Sequence, residues 1–477
     1  MTKYYDVVFL HPLTSLRKHL INSPYLLTHY PLLPMGLFSL AHMIKSEGYE
    51  VKIVNLGLEI SLSPSFEIED YVKSLSAKIY AIDLHWFYHS EGAIQLAEMC
   101  KKHHPDSLVI LGGFTATWFY EEILKKYNFI DAILLGEAEQ SILSLVKACL
   151  IDKDLSNVPG IAYRANDTVK HNAVAPPATL DNLNFTDLST LENWENYLKI
   201  VPEGCNEDGS SLFWLTIARG CIYNCIYCGG SCSSYKLLTK REKPIFRDPK
   251  LVAEDIRRLH DLGVEKICFS HDPEIAGKNY WQKILYELAK DHVDMQAYWE
   301  SSQLPSRDFL QRMKRAFNEV ELAIYPLSPN EKVRMAAGKK FTNDQLFHTA
   351  RICEELGITL NAYFTVGLPG ENKNFYELFK KLVKKLLPFQ SITIPPLSVY
   401  TLDPSSLMAT HPEIYNLKIY LKNFEDYKNM CSSPYVIDRI GHETNTLTRE
   451  QILELTNMAN EHLIELFLRN GDRKGPF

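Results

Sequence analysis

The 477-residue chain has no run of about 18 or more consecutive apolar residues, which excludes a membrane-spanning helix. It has no excess of positive charge. Fifty-one Lys and Arg against 58 Asp and Glu leave a formal net charge of −7. A nucleic-acid partner is not expected, because phosphate binding draws on a basic face. The sequence opens Met1-Thr2-Lys3-Tyr4-Tyr5-Asp6 and runs straight into an apolar strand-like stretch, so no signal peptide and a cytoplasmic location are expected. Cysteine is scarce, with 10 in the chain, and four of them fall between residues 221 and 232. This distribution fits a reduced compartment and one metal site better than a disulfide framework. The hydrophobic share of 46% and charged share of 23% are ordinary for a globular protein of two or three domains.

What is present is concentrated in Ala218-Arg219-Gly220-Cys221-Ile222-Tyr223-Asn224-Cys225-Ile226-Tyr227-Cys228-Gly229-Gly230-Ser231. Three cysteines stand in C-x3-C-x2-C spacing, with an aromatic residue just before the third. A tight loop of this kind points three thiolates at one side of a compact cluster, and thiolates are the usual ligands of iron–sulfur clusters. Three ligands leave one iron of a four-iron cubane free for a small molecule. A structural zinc site needs a fourth ligand and usually shows C-x2-C pairs in two separated halves. Cys232, four residues on, is expected to be a bystander. The loop resembles the signature of the radical S-adenosylmethionine (SAM) enzymes. That resemblance implies a 4Fe-4S cluster on Cys221, Cys225 and Cys228, and SAM at the free iron as the source of a 5′-deoxyadenosyl radical. It also implies an electron donor such as flavodoxin or ferredoxin.

Residues 1–150 alternate short apolar runs (Asp6–Leu10, Val51–Leu56, Ile79–Asp83, Leu108–Leu111, Ala132–Leu135) with helical segments such as Leu37–Glu47 and Ala93–His103. The alternation predicts a doubly wound, Rossmann-like parallel sheet, which binds ligands at the carboxyl ends of its strands. Those ends read His11-Pro12, Asp83-Leu84-His85-Trp86, Leu111-Gly112-Gly113-Phe114-Thr115 and Gly136-Glu137. Paired glycines let backbone approach a large flat or phosphorylated ligand, although a tight turn explains them equally. In this order, ahead of the cysteine loop, the set resembles the cobalamin-binding domain of a poorly characterised branch of the cobalamin-dependent radical SAM enzymes. Pro34-Met35-Gly36-Leu37, leading into the first helix, matches the same group. The resemblance implies cobalamin (methylcobalamin) near His11, Pro34, Gly36, Leu37, His85, Trp86, Gly112, Gly113, Thr115, Gly136 and Glu137. Many cobalamin proteins ligate cobalt through an Asp-x-His-x-x-Gly motif after the first strand. Here Asp83-Leu84-His85 follows the third strand, and Tyr88 stands in place of the glycine. His85 is therefore expected to line the pocket rather than ligate cobalt.

Residues 151–205 read as a connector, with a hairpin near Val158–Val169 and a linker through Ala175-Pro176-Pro177. Cys205 is expected to be a spare thiol. In residues 206–400, the strand Leu212–Ala218 delivers the cysteine loop. Five further strands follow, from Lys266–Ser270 to Ile392–Ile394, with helices capped by Asp248 and Ser306. Six β/α units predict a partial (β/α)6 barrel with its active site at the strand C-termini. The family resemblance implies SAM contacts from Tyr227, Asp272, Glu300, Ser302, Ser328, Gly367 and Glu371. Ser328 is the weakest of these, because the sequence reads Tyr325-Pro326-Leu327-Ser328 where the family often has Glu-Ser-Gly. Ordinary turns and caps compete with each assignment.

Residues 401–477 read as a small, mostly helical region closing with a helix from Thr448 to Asn470. Tyr400, Tyr415, His442 and Glu443 either face the barrel mouth or pack as a lid. The resulting expectation is a cobalamin-dependent radical SAM enzyme methylating an unactivated carbon of a small-molecule or lipid-like substrate. The alternative keeps the radical but performs carbon–carbon coupling or rearrangement, with the first domain holding cobalamin in another role or holding substrate. No catalytic side chain is identified.

Overall fold

Two largely parallel sheets organise the chain, each within its own folding unit. The computed structural model describes residues 3–17, 32–63, 65–151, 154–166, 168–199, 211–290 and 293–470. Unit 1 comprises Met1–Pro202, Ser233–Lys243 and Leu421–Pro434, and unit 2 comprises Glu203–Cys232, Pro244–Tyr420 and Tyr435–Phe477.

In unit 1 the strands are β1 (Tyr4–His11), β2 (Val51–Asn55), β3 (Ser76–Asp83), β4 (Leu108–Gly112), β5 (Ala132–Leu134), β6 (Ile161–Ala165) and β7 (Thr168–His171). Their spatial order is β2-β1-β3-β4-β5-β6-β7. β1 to β5 are parallel, while β6 and β7 form an antiparallel hairpin on the β5 edge. β1 is an interior strand, pairing Leu10 with both Val54 and Ile82, which is why Val7-Val8-Phe9-Leu10 is apolar without alternation. The helix Ser90–His103 lays Ala93, Leu96, Ala97 and Cys100 into the sheet's main core. A helix from far down the sequence, Phe424–Ser432, adds Phe424, Tyr427, Met430 and Cys431 to the same core. The larger of these side chains, such as Leu96, Phe424 and Met430, contribute about 1.5–3 kcal/mol each when fully buried.

Two expected boundaries therefore move. Residues 151–202 are part of unit 1, because β6 completes the hydrogen bonding of the β5 edge and Glu192 N–H donates to the Ile53 carbonyl at 2.9 Å. The C-terminal region is divided between the units rather than separate. Cys205 lies outside the described residues.

In unit 2 the strands are β8 (Leu212–Leu215), β9 (Ala218–Arg219), β10 (Ile245–Phe246), β11 (Lys266–Phe269), β12 (Gln296–Ser301), β13 (Val320–Leu327), β14 (Thr359–Val366), β15 (Ile392–Thr393) and β16 (Ser398–Val399). The parallel order is β15-β14-β13-β12-β11-β8, with β16 also pairing β14. The row ends at β8 and β15 without closing, so the barrel is partial. The expected strand Leu212–Ala218 is broken: β8 stops at Leu215, and β9 turns away to pair antiparallel with β10. The caps are as anticipated. Asp248 accepts from Lys250 N–H with Pro249 in the first turn, and Ser306 accepts from Phe309 N–H. Thr342 and Gln345 form a capping box on the helix Asn343–Leu356, which ends at the left-handed Gly357. Among the described residues no helix is long and apolar enough to cross a membrane.

Candidate functional site

The cysteine loop leaves β9 through Gly220, whose φ of +87° favours glycine. Its backbone curls around its own sulfurs. Cys221 Sγ accepts Tyr223 N–H at 3.3 Å, and Cys228 Sγ accepts Gly230 N–H at 3.3 Å. Cys225 is 8% exposed and packs against Gly338, where an added Cβ would lie 3.0 Å from its Cα and Sγ. Three thiols from one short loop are the donor set that an iron–sulfur cluster takes. Burial pushes the Cys228 thiol up to about 12, so its thiolate forms with metal rather than ahead of it.

A later segment braces this loop. Asp403 Oδ2 accepts Gly229 N–H at 2.9 Å, Ser405 Oγ donates to the Gly229 carbonyl at 3.2 Å, and Met408 N–H donates to the Ile226 carbonyl at 2.9 Å. The Tyr400 hydroxyl donates to the Tyr227 carbonyl. Burial pushes the Asp403 carboxyl up to about 6. Asp403 was missed in the sequence: it stands in an irregular proline-bearing stretch, and its partner is 174 residues away.

The strand ends of unit 2 bring Asp272, Ser302, Lys339 and Glu300 together. Asp272 Oδ1 accepts Glu274 N–H and its Oδ2 accepts Ser302 N–H, both at 3.0 Å, which joins the loops after β11 and β12. Burial raises its carboxyl to about 6. Lys339 Nζ donates to the Ser302 carbonyl at 2.9 Å. Glu300 presents accessible surface, yet desolvation still pushes its carboxyl up against hydrogen bonds from Tyr325 and Tyr298. Tyr298 is two residues away and so shares its face of β12. That face packs Tyr298 with Trp214, Tyr325 and Tyr363, and the Tyr325 and Tyr363 rings stack at 5.1 Å.

Two expected SAM contacts are otherwise engaged. Ser328 is fully buried. Its carbonyl accepts from Arg334 Nη2 at 2.8 Å and its Oγ accepts Asn330 N–H at 3.3 Å, so it builds the turn after β13. Glu371 Oε2 accepts Gly367 N–H at 2.7 Å and Leu368 N–H at 3.1 Å, bracing the Gly367–Glu371 turn from within; burial raises its carboxyl to about 7. His442 Nε2 bonds the Gly367 carbonyl at 2.7 Å and locks the turn from the other side. Glu443 instead pairs with Lys418.

In unit 1 the loops after β3 and β4 meet backbone to backbone. Gly113 has φ +103°, and a Cβ there would lie 2.6 Å from His85 Cα. Thr115 Oγ1 donates to the His85 carbonyl at 3.0 Å. Gly113 and Thr115 therefore hold the turn, while Gly112 has no atom nearer than 3.9 Å to an added Cβ and leaves backbone open. His85 and Trp86 are half-buried on this face, with rings 5.1 Å apart. Pro34 accepts Leu37 N–H at 2.9 Å to start the Gly36 helix, and Ser39 Oγ donates to Glu139 Oε1 at 3.3 Å, joining that helix to the loop after Gly136. Two expected cobalamin contacts move. The Glu137 carboxylate is buried and held by Arg241 through two 2.7 Å bonds. His11 is 1% exposed, bonded through Nδ1 to Asp83 at 2.8 Å. Neither lines an open face. Beside His11, burial holds His89 well below the usual imidazole range, hence neutral.

A Rossmann-like sheet, and an open parallel sheet headed by a three-thiol loop, define a two-unit α/β enzyme. The Radical SAM superfamily model matches residues 215–382 and the B12 binding domain model matches residues 28–146. The chain belongs to the cobalamin-dependent radical SAM enzymes, whose cofactors are a 4Fe-4S cluster, SAM and cobalamin. It is similar to an uncharacterized methyltransferase of Pyrococcus horikoshii, 25% identical over 360 residues that span 74% of this chain and 73% of that protein. An anaerobic magnesium-protoporphyrin IX monomethyl ester cyclase of Rubrivivax gelatinosus is 30% identical over 316 residues, 63% of this chain and about half (52%) of the cyclase. In fold the chain is similar to TsrM, a radical SAM methyltransferase from Kitasatospora setae, solved with cobalamin and a 4Fe-4S cluster bound. That match has a TM-score of 0.65 at 13% identity and covers 88% of this chain and 77% of TsrM.

Proposed function

We propose that the enzyme methylates an unactivated carbon of a small-molecule or lipid-like substrate. When bound, the cluster and SAM supply a 5′-deoxyadenosyl radical, and methylcobalamin supplies the methyl group. The observation that carries this reading is reach: the methyltransferase relative aligns over 73% of its length, the cyclase over only 52%. In this reading Cys221, Cys225 and Cys228 hold the cluster. Asp272, fixed by two backbone N–H groups, and Glu300 set negative charge where a cationic cosubstrate binds. The aromatic face of Trp214, Tyr298, Tyr325 and Tyr363 excludes water and favours an apolar substrate. His85, Trp86 and the open Gly112 backbone face cobalamin. Electrons come from a flavodoxin- or ferredoxin-type donor.

The 30% identity to the cyclase favours a second reading, in which the same radical effects coupling or rearrangement without methyl transfer. One experiment separates them. Anaerobically purified holoenzyme is incubated with reductant and SAM carrying a CD3 group, and products are read by mass spectrometry. Methylation predicts transfer of the CD3 label to cobalamin. Formation of 5′-deoxyadenosine with no label on cobalamin refutes it and supports the second reading.

A further inference from the structure

Behind the His85–Trp86 face lies a cluster that the chemistry above does not use. His11 ends β1, Asp83 ends β3, and His89 ends the short 3-10 turn Phe87–His89. Each offers one ligand atom, and the three atoms lie within 4.8 Å of one another. The residues are 1%, 6% and 0% exposed. His11 Nδ1 and Asp83 Oδ1 are already 2.8 Å apart, and the His11 and His89 rings meet edge-on at 4.8 Å. Both ring nitrogens of His89, and Asp83 Oδ2, are buried without a hydrogen-bond partner. Each such orphaned atom costs about 1–3 kcal/mol, and these three belong to one cluster of ligand-type side chains.

We propose that His11, Asp83 and His89 bind one divalent first-row transition metal ion, separate from the cysteine loop. Two imidazoles and one carboxylate are a donor set that Zn2+ and Fe2+ both accept. Tetrahedral Zn2+ with ligands at about 2.0–2.2 Å needs donor atoms about 3.3–3.5 Å apart. The His11–Asp83 pair already meets that closeness, and the His89 nitrogen, within 4.8 Å of both, must move inward by about 1–1.5 Å to join them. The ion takes a lone pair from His89 and occupies the unanswered side of Asp83. It pins the carboxyl ends of two neighbouring strands to the turn that carries Trp86, whose ring stands 6.4 Å from His11 and 5.9 Å from His89. These residues are positioning groups for the Trp86 face rather than catalytic residues.

The test uses the full-length chain carrying its iron–sulfur cluster, incubated with Zn2+ and dialysed, then read by elemental analysis and zinc X-ray absorption. The expected result is one tightly held zinc per chain with a nitrogen and oxygen shell free of sulfur. His89→Gln and Asp83→Asn should each weaken zinc binding by about 10–100-fold or more. No retained zinc in the parent chain, or a sulfur shell, overturns the proposal, and neither outcome depends on a variant folding. Unchanged zinc content and spectrum in a folded His89→Gln chain overturns it as well.

Discussion

A methyl group added at Gly338 would sit 3.0 Å from both Cα and Sγ of Cys225. Carbon contacts normally settle at about 3.5–4.0 Å, so the overlap is about 0.5–1 Å and falls on the Cys225 Cα and on its ligand sulfur. Gly338 also has φ +108°, a strained region for an L-residue that costs about 1–3 kcal/mol. The turn cannot easily retreat. The Gly338 carbonyl accepts from Gln303 at 3.0 Å, and Lys339 N–H donates to the Arg334 carbonyl at 3.1 Å. Cys225 must give way. Strain and overlap together lift the cluster-competent loop by about 2–4 kcal/mol, which is about 30- to 700-fold in the equilibrium for cluster loading. Gly338→Ala should therefore reconstitute with much less cluster than the parent under limiting iron, with all ligand cysteines intact. Iron and sulfide analysis, the paramagnetic resonance of the reduced cluster and the yield of 5′-deoxyadenosine read the effect. Gly263→Ala is the control: its φ is +84° with nothing within 4 Å, so it carries backbone strain without the clash. Full cluster content and parental 5′-deoxyadenosine yield in Gly338→Ala would refute the reasoning.

Arg241→Ala strands the Glu137 carboxylate in unit 1 and should cost about 3–5 kcal/mol, seen as a lower melting temperature that the added change Glu137→Gln partly restores. Asp272 titrates near 6 when folded, above the usual 3.8, so the folded state holds the extra proton. Its contribution is full below about pH 4 and is lost as pH rises through 6, about 3 kcal/mol across that window; denaturant melts of cofactor-free Asp272→Asn should lack this slope. Cys232→Ala should keep the cluster and SAM cleavage, whereas Cys221→Ala should abolish both; loss of the cluster from Cys232→Ala would make that thiol a ligand.

What was legible in the sequence was local. The C-x3-C-x2-C loop, the Asp248 and Ser306 caps and the alternation of strands with helices all act within a few residues, so spacing alone displays them. The paired glycines were half legible: Gly113 is fixed by its left-handed φ and the His85 backbone, while only Gly112 leaves backbone open. Partners far along the chain were not legible. Glu137 carries no local sign that Arg241, 104 residues on, will consume its carboxylate. Ser328 and Glu371 look like ligand contacts until their own turns claim them. Asp403 and the helix Phe424–Ser432 are bland in sequence because each acts only on a distant surface.

That helix also sets the order in which the protein can be made. A chain leaves the ribosome from its N-terminus, and N-terminal units usually fold first. Here the core of unit 1 waits for Phe424, Tyr427, Met430 and Cys431, and most of unit 2 is synthesised before they emerge. Until then the apolar groups destined to meet Phe424 and Tyr427, Phe87 and Phe119 among them, lack those partners. The sheet that was begun first is finished almost last. A nascent chain halted before residue 424 therefore carries an open core, so completion of unit 1 is tied to completion of nearly the whole polypeptide.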